Sequence, residues 1–467
     1  MPKRLSISTC LAPRKCLMLP RAMTATETIP MPRNLPRKKI VLQTVTTDHD
    51  FIKKLIWGYF FLLLFEGALR KWFLPGLSQG LLIIRDPVVI WIYYLSYAKG
   101  LFPLNNKYLI RCLQWVVIAG VLSILINRTH PFTIAYGART NLLHFPLIFI
   151  MASVLRWQDV INFGRAFLLL ALPMTWIVAQ QFQSDAQDIM NVAAGGTGHQ
   201  LMTSGDKVRA SGTFTFVSGI VFYYCFTVAF IIHGFLVKGS FPKWMLYLGT
   251  SATLLAMVTA GSRAVIAECL QVLACIGFLA YYKPSEFGKI AGSVFAFSVL
   301  GLVIYSQVDL FKEGLDFLSL RFEEAANVEG NPIGAYFNRY IQMILAPYHY
   351  SLWIDWFGKN GLGGATRAGA ALGGGWGYAE NSWSRPILEN GVLVGSLFIV
   401  WRIWITKDLL AASIRAIKRG NYLSIFLFGA AGPILLFGLL GQPTNLGFAA
   451  FGCGLCLAAA VSPNKPT

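Results

Sequence analysis

The stretch TFTFVSGIVFYYCFTVAFIIHGFLV, residues 213–237, contains no Asp, Glu, Lys or Arg. A helix that crosses the hydrocarbon core of a bilayer needs about twenty mainly apolar residues. Within one segment, only an α-helix satisfies every backbone N–H and C=O group in the absence of water. The stretch therefore predicts a membrane-spanning helix, and the same criterion applies to the rest of the chain.

Similar apolar stretches recur along the 467-residue chain after its first fifty residues. They lie at 53–74, 78–98, 108–126, 134–155, 159–182, 213–237, 243–261, 263–282, 287–306, 386–406, 422–439 and 444–461. The pattern predicts an all-α fold, a polytopic transmembrane helix bundle of about twelve spans. The sequence shows neither an internal repeat nor a second, soluble domain.

The amino-acid composition also indicates a lipid environment. The chain is 55% hydrophobic and only 13% charged, whereas soluble domains carry about 25% charged residues. The formal net charge of +19 would indicate nucleic acid in a soluble protein. Here the basic residues form short clusters between apolar stretches, without a basic stripe. We therefore expect the lipid bilayer as a partner, and no nucleic acid.

The positions of Lys and Arg predict the orientation of the chain. Residues 1–50 are basic, lack the apolar core of a signal peptide and are expected to form a disordered cytoplasmic tail. When the spans alternate from this tail, Lys and Arg occur in every connection on its side, as is typical of cytoplasmic loops. Both termini are thus predicted to be cytoplasmic. Residues 51–306 hold spans 1–9, residues 307–385 form an outer loop, and residues 386–467 hold spans 10–12.

Three polar segments are predicted to share the outer face. They are residues 183–212, the turn at 259–263 and the long loop 307–385. The long loop is rich in Trp and Tyr, which favour the membrane–water interface. It also contains glycine clusters at 361–364 and 373–377, and glycine allows a backbone to approach a ligand closely.

Two arginines stand beside these outer turns. Arg263 opens an apolar stretch, and Arg209 closes the first outer segment. A guanidinium can bind phosphate through two parallel hydrogen bonds. It can equally anchor a helix at the interface, with its stem in the apolar region. Both interpretations stay open for Arg263, and the sequence does not decide whether Arg209 lies beside it.

Residues 379–386, AENSWSRP, lead from the long loop into the next span. Ser384 is predicted to cap this helix, and Pro386 suits its first turn because the missing N–H would have no partner there. Arg385 and Glu389 are four residues apart, so they share one helix face and are expected to pair. Glu380, just before the helix, is a candidate general base or simply a loop acid.

Other polar residues have structural interpretations. Glu66 and Arg70 are expected to form an ion pair at the end of the first span. Asp86, followed by Pro87, predicts a helix N-cap. The chain has eight cysteines and six histidines, but no cluster with metal-ligand spacing, no P-loop and no nucleophile elbow. We therefore expect no metal and no cofactor.

The motifs at 261–263 (GSR), 380–383 (ENSW) and 388–391 (LENG), with one long outer loop late in a multi-helix body, form a recognisable combination. It resembles the O-antigen ligase and polymerase superfamily of bacterial envelope glycosyltransferases. In that family the pattern is His-Asn, an aromatic residue two positions on, and Glu-x-Gly in the next helix. Glu380 stands where the family has its proposed catalytic His.

The resemblance implies a reaction and a set of site residues. A polyprenyl-diphosphate-linked glycan enters from the outer leaflet of the bacterial inner membrane, and Glu380 deprotonates a hydroxyl of a glycan or lipid-core acceptor. The long loop is then periplasmic, and no nucleotide sugar is needed. The implied diphosphate-binding residues are Arg263, Arg209 and Arg385, and the implied supporting residues are Asn381, Trp383 and Glu389.

Two other classes of function remain open at this stage. One is a flippase or transporter of a lipid-linked saccharide, because transporters pair polar residues inside broken helices. The other is a non-catalytic subunit of an envelope-assembly complex. The concentration of unusual residues at one face favours the glycosyltransferase.

Overall fold

The computed structural model describes residues 46–200, 207–331, 334, 337, 338, 340–345, 356–372 and 382–462. Helices and their connections make up these ranges, which contain no β-strand and only isolated bridge residues, such as Val192 and His199, which pair with each other. The all-α prediction is therefore confirmed for the described chain. The first helix begins at Thr46, so the last residues of the expected tail are helical. The rest of that tail lies outside the described residues.

The helices that organise the fold are numbered here in chain order. They are α1 (Thr46–Ala68), α2 (Arg85–Ala98), α3 (Lys107–Leu125), α4 (Pro131–Ala138), α5 (Pro146–Val154), α6 (Trp157–Gln183), α7 (Val217–Leu236), α8 (Lys243–Thr259), α9 (Arg263–Tyr282), α10 (Phe287–Gln307), α11 (Asp309–Glu329), α12 (Ser384–Lys418), α13 (Leu423–Phe437) and α14 (Pro443–Val461). Two π-helical turns, Leu69–Phe73 and Arg139–Leu143, follow α1 and α4.

Seven helices of the described residues are long and apolar enough to cross a membrane. They are Gly80–Ala98, Lys107–Leu125, Trp157–Gln183, Val217–Leu236, Arg263–Tyr282, Ser384–Lys418 and Pro443–Val461. All seven coincide with predicted spans, which supports a multi-pass membrane protein. The other predicted spans fall on α1, α4 with α5, α8, α10 and α13. For these elements, and for the total of about twelve, crossing stays a prediction.

Helix α7 lies at the centre of the bundle. It packs against α6, α8, α9 and α13. Within its most apolar 18 residues, 94% are buried inside the protein. Small residues permit this packing. A Cβ at Gly164 of α6 would lie within 3 Å of Phe230, and a Cβ at Gly452 of α14 would lie within 3 Å of Phe226; both phenylalanines belong to α7. Close approach through small residues is the usual device of helix association in lipid.

One end of the bundle, here called the termini end, carries the start of α1 and the end of α14. Lys53 of α1 forms an ion pair of 2.8 Å with Asp159 at the start of α6. The guanidinium of Arg419 donates to the carbonyl of Ala460 at the end of α14. Helices α1 and α14 are antiparallel, since a Cβ at Gly447 would lie 2.5 Å from Leu63 and the Tyr59 ring stacks on Phe451. Both ends of the described chain therefore lie at the same end of the bundle.

The opposite end, here called the polar end, carries the turns at 69–78, 183–200, 207–213, 259–263 and 437–443. A Cβ at Gly261 would lie 3.6 Å from the carbonyl oxygen of Val208 and 3.0 Å from the Phe317 ring. Lys207 pairs with Glu313 of α11 at 3.3 Å. The described parts of the three polar segments thus contact one another, as the sequence indicated.

The long segment 307–385 differs from the expected loop, because it begins with the 21-residue helix α11. Phe311, Leu315, Leu318 and Phe322 form the apolar stripe of this helix and pack in a cluster with Val258 of α8. Their spacing of three to four residues is that of an amphipathic helix. The helix was missed because its low mean hydropathy argued only against a span.

The start of α12 is interlocked with the loop at 356–366 through two glycines. Gly391, with φ +77°, breaks α12 into two helical segments, and a Cβ there would lie 1.9 Å from the carbonyl oxygen of Trp356. Gly358 has φ +76°, and its Cβ would lie 2.5 Å from the carbonyl oxygen of Glu389. Both positions therefore require glycine for conformation and for space.

Gly391→Ala is expected to destabilise the fold by more than the about 1–3 kcal/mol that such a backbone conformation costs a residue other than glycine, because the Trp356 carbonyl must also move. The matched control is Gly58→Ala in α1, where no atom lies within 4 Å of the added Cβ. Thermal unfolding of both variants in detergent checks this. Equal unfolding temperatures for the two variants would contradict the interlock.

Candidate functional site

Every buried Lys, Arg, Asp or Glu among the described residues lies toward the polar end. These side chains are Arg70, Lys71, Arg85, Arg385 and Arg402, with Glu66, Asp86 and Glu389. Five cations therefore face three carboxylates. Unpaired charge inside a membrane protein is costly and commonly marks a functional site. The cationic excess is of the sign that attracts an anionic ligand.

Arg385 and Glu389 form the predicted pair in the first turns of α12. Arg385 Nε donates to Glu389 Oε1 at 3.0 Å, and both side chains are buried. The same oxygen accepts from the backbone N–H of Ala365 at 3.1 Å. Arg385 Nη2 donates to Thr140 Oγ1 at 3.1 Å. The pair thus joins α12 to the 361–366 loop and to the second π-helical turn.

Arg402 lies further along α12 and is 1% exposed. Its Nε donates to Leu435 O at 2.8 Å and its Nη2 to Gly438 O at 2.9 Å. The last carbonyls of a helix have no partner within the helix, so Arg402 satisfies carbonyls at the end of α13. Its Nη1 donates to Ser382 Oγ at 2.8 Å. No carboxylate pairs with Arg402 among the described residues.

A small cavity separates Arg385 and Arg402. Asn141, Ser382 and Glu389 also line it, and its free interior of about 10 Å³ has room for about one water molecule. Two guanidinium groups and one carboxylate give the cavity a net positive charge. In this conformation it admits a water-sized group and excludes a diphosphate.

Three arginines surround the turn between α13 and α14. Arg402 binds the carbonyl of Gly438, and Arg85 Nη2 donates to the carbonyl of Pro443 at 2.5 Å. Between them, a Cβ at Gly441 would lie 2.4 Å from Arg385 Nη1. The turn is therefore enclosed by positive charge from α2 and α12, and glycine makes the close approach of Arg385 possible.

A second ionic network joins α1, α2 and the turn after α4. Glu66 accepts from Arg85 at 3.1 Å and lies 3.5 Å from Arg70, which confirms the predicted Glu66–Arg70 pair. Asp86 pairs with Arg139 through both oxygens and contacts His144 Nε2 at 3.2 Å. The N-cap expected of Asp86 is wrong, because the helix begins before it and its carboxylate binds Arg139 instead.

The other predicted site residues are Glu380, Asn381 and Trp383, together with Arg209 and Arg263, which are described in the next paragraph. Glu380 and Asn381 lie outside the described residues. Trp383 is a packing residue, with Nε1 donating to Leu436 O at 2.8 Å and its ring stacked on Phe437. It also takes the N-cap position expected of Ser384, and no side chain caps the helix.

Arg263 follows the Gly261 turn, and that turn lies beside Val208, the residue before Arg209. Helices α9 and α13 are antiparallel, since Tyr422 contacts Glu286 at one end and Gln271 donates to Gly429 O midway. This arrangement places Arg263 at the polar end together with the end of α13.

The glycine cluster at 361–364 contacts protein backbone, not a space for a ligand. A Cβ at Gly363 would lie 2.2 Å from Thr133 O and 2.8 Å from Gly137 N. The neighbouring Leu362 N–H donates to Ser123 Oγ at 2.6 Å. The close contacts of this cluster are therefore with protein backbone, and the cluster at 373–377 lies outside the described residues.

Sequence reasoning missed Arg402 and Arg85 and gave little weight to Lys71. Lys71 Nζ donates to Gly212 O at 2.6 Å and to Ser211 Oγ at 3.2 Å. The sequence did contain an indication of Arg402, because this residue interrupts an apolar stretch of α12. A cation at the bilayer centre costs about 2.5–3.5 kcal/mol on insertion scales, so such a residue needs a reason.

Comparison with known proteins adds no family to this picture. No protein-family model and no curated protein matches the chain. The described residues contain no group of three or more His, Cys, Asp or Glu side chains that could hold a metal ion. The functional argument therefore depends on the buried charges of the polar end.

Removing one partner of the Arg385–Glu389 pair leaves a buried charge without compensation. Arg385→Met and Glu389→Met are each expected to destabilise the protein by about 3–5 kcal/mol, and the double variant by less than the sum. The control is the exposed Asp309–Lys312 pair, whose hydrogen bond lowers the pKa of Asp309 but which faces water. Unfolding in detergent measures all variants, and additive effects at residues 385 and 389 would contradict the coupling.

Proposed function

We propose that this protein is an inner-membrane glycosyltransferase of bacterial cell-surface polysaccharide assembly. It transfers or polymerises glycan from a polyprenyl-diphosphate-linked donor at the outer face. In this proposal the polar end faces the periplasm, both termini are cytoplasmic and the chain crosses the membrane about twelve times. The acceptor is a second glycan or a lipid core.

The buried cationic excess at the polar end carries the proposal. A diphosphate linked to a lipid brings negative charge to the membrane surface, and fixed guanidinium groups stabilise such charge strongly in a dry site. Arg385 lies four residues after Asn381, so the described cluster directly adjoins the segment that contains Glu380. In this proposal, the binding site of the anionic donor and the general base are neighbours in the sequence.

The proposed reaction uses these residues in sequence. Arg263, Arg209 and Arg385 hold the diphosphate, and Glu380 accepts the proton of the acceptor hydroxyl. The hydroxyl oxygen then bonds to the anomeric carbon of the donor sugar. The bond between that carbon and the diphosphate oxygen breaks, and polyprenyl diphosphate leaves with the electron pair. The arginines neutralise the leaving group.

A flippase for a lipid-linked saccharide is the second candidate. The observation that favours it is the pair of π-helical turns, Leu69–Phe73 and Arg139–Leu143, which carry ionic contacts of Arg70 and Arg139. Transporters place polar residues in broken helices of this kind. Inactivation of a flippase strands its lipid-linked cargo at the inner face, whereas inactivation of a transferase leaves the donor intact at the outer face.

Glu380→Gln is expected to lower glycan transfer at least a hundredfold, within the about 10²–10⁴ range of general-base catalysis. Purified protein receives the lipid-diphosphate-linked oligosaccharide pool of its host, and mass spectrometry follows the product. Glu313→Gln, an exposed acid of α11, is the matched control and should retain activity.

Equal transfer by wild type and Glu380→Gln would remove Glu380 from the chemistry but keep the enzyme. Absence of transfer in folded wild-type protein would favour the flippase.

The orientation is tested by labelling single cysteines in intact cells. Arg128 and Asn105 are exposed beyond opposite ends of α3, at the polar and termini ends. With Cys10 and Cys16 replaced by Ser, a membrane-impermeant thiol reagent should label Arg128→Cys and spare Asn105→Cys. The six described native cysteines are buried and should not react. The reverse labelling would place the polar end in the cytoplasm and end the proposed mechanism.

A further inference from the structure

A groove opens at the polar end beside the cationic cluster, here called the Trp356 groove. It is lined by Ile126, Asn127, Trp356, Phe357, Gly358 and Lys359, with a volume of about 580 Å³. Ligand sites commonly measure about 300–1,000 Å³. In contrast to the cavity between Arg385 and Arg402, this groove is large enough for a sugar ring.

The side chains of the Trp356 groove combine aromatic faces with free polar groups. Trp356 is 65% exposed and Phe357 is 41% exposed. Asn127 Nδ2 donates to the Phe357 carbonyl at 3.4 Å. Within the described chain, no hydrogen bond forms at Asn127 Oδ1 or at the Lys359 ammonium. The groove therefore combines the aromatic rings of Trp356 and Phe357 with a hydrogen-bond acceptor, Asn127 Oδ1, and a cationic donor, the Lys359 ammonium.

The backbone beneath the groove is held on two sides. The N–H of Lys359 donates to Leu388 O at 3.2 Å, next to the interlocked Gly358 and Gly391. Thr129 Oγ1 donates to Asn360 O at 3.1 Å. A side chain that only anchors a protein in the interface needs no such support, whereas a binding site needs its groups fixed in place.

We propose that the Trp356 groove binds a saccharide. The C–H faces of a pyranose ring pack on an aromatic ring, and its hydroxyls hydrogen-bond to amide and ammonium groups, which is the combination found here. The identity of this saccharide as the glycan of the lipid-linked substrate rests on the proposed function. Binding itself does not depend on transfer.

The start of α12 links the groove to the candidate site. Leu388 O binds the loop that carries Lys359, and the next residue, Glu389, pairs with Arg385. A glycan on Trp356 is therefore connected through adjacent residues to the arginine cluster. This arrangement suits a substrate whose sugar and diphosphate are covalently joined.

The test measures saccharide binding without transfer. The probe is the lipid-free oligosaccharide that mild acid releases from the lipid-linked pool of the host, titrated into protein in nanodiscs and followed by saturation-transfer NMR. Trp356→Ala should raise Kd about tenfold or more, and Trp356→Tyr, which keeps an aromatic ring, less than threefold. Trp176→Ala is the matched control, a 62% exposed tryptophan of α6, and should leave Kd unchanged.

Unchanged binding by Trp356→Ala, or absence of binding by wild type, would overturn the inference. Quenching of Trp356 fluorescence by brominated lipids, without any effect of saccharide, would also overturn it, because Trp356 would then be an interfacial anchor. If Trp356→Ala does not fold, Asn127→Ala replaces it, with about a threefold rise in Kd expected. Saccharide binding at the groove without glycan transfer would contradict only the proposed glycosyltransferase function. Transfer with a normal KM in Trp356→Ala would contradict only the saccharide site at the groove.

Discussion

The hydrogen bonds of Arg402 are the interaction on which the polar end depends. In a membrane, backbone groups without a partner must be satisfied by the protein itself, and α13 ends with carbonyls that its own helix cannot satisfy. Arg402 binds two carbonyls there, Leu435 O and Gly438 O, and holds Ser382 with the same guanidinium. The segment before α12 is thereby fixed to the end of α13, and Arg385 and Glu389 take their positions from it.

The remaining buried charges extend this arrangement and do not neutralise it. Glu66 compensates Arg70 and Arg85, and Glu389 compensates Arg385. Arg402 and Lys71 bind only carbonyl and hydroxyl oxygens among the described residues. If stability alone were selected, apolar residues of similar volume would often serve as well. We infer that the uncompensated cations are kept for a ligand of opposite charge.

The sequence predicted local features well and long-range contacts poorly. Apolar length identified the seven long helices, and the four-residue spacing of Arg385 and Glu389 identified their pair, because both depend on neighbouring residues. Arg402 binds Leu435, 33 residues away, and Gly391 meets Trp356 from another segment. Neither contact follows from periodicity. Hydropathy likewise could not distinguish α11, an amphipathic helix on α8, from a polar loop.

The size of the cavity decides what the proposed reaction requires of the protein. Between Arg385 and Arg402 there is room for about one water molecule, so a diphosphate can reach these groups only if the turn at 438–443 moves. If the turn moves, Arg402 loses the carbonyl oxygens that now accept its hydrogen bonds. Phosphate oxygens can replace these carbonyl oxygens one for one. The guanidinium is already desolvated and fixed, so it does not need to reorganise when the negative charge arrives. In the proposed reaction, the diphosphate would therefore take the place that the carbonyls of the turn now occupy.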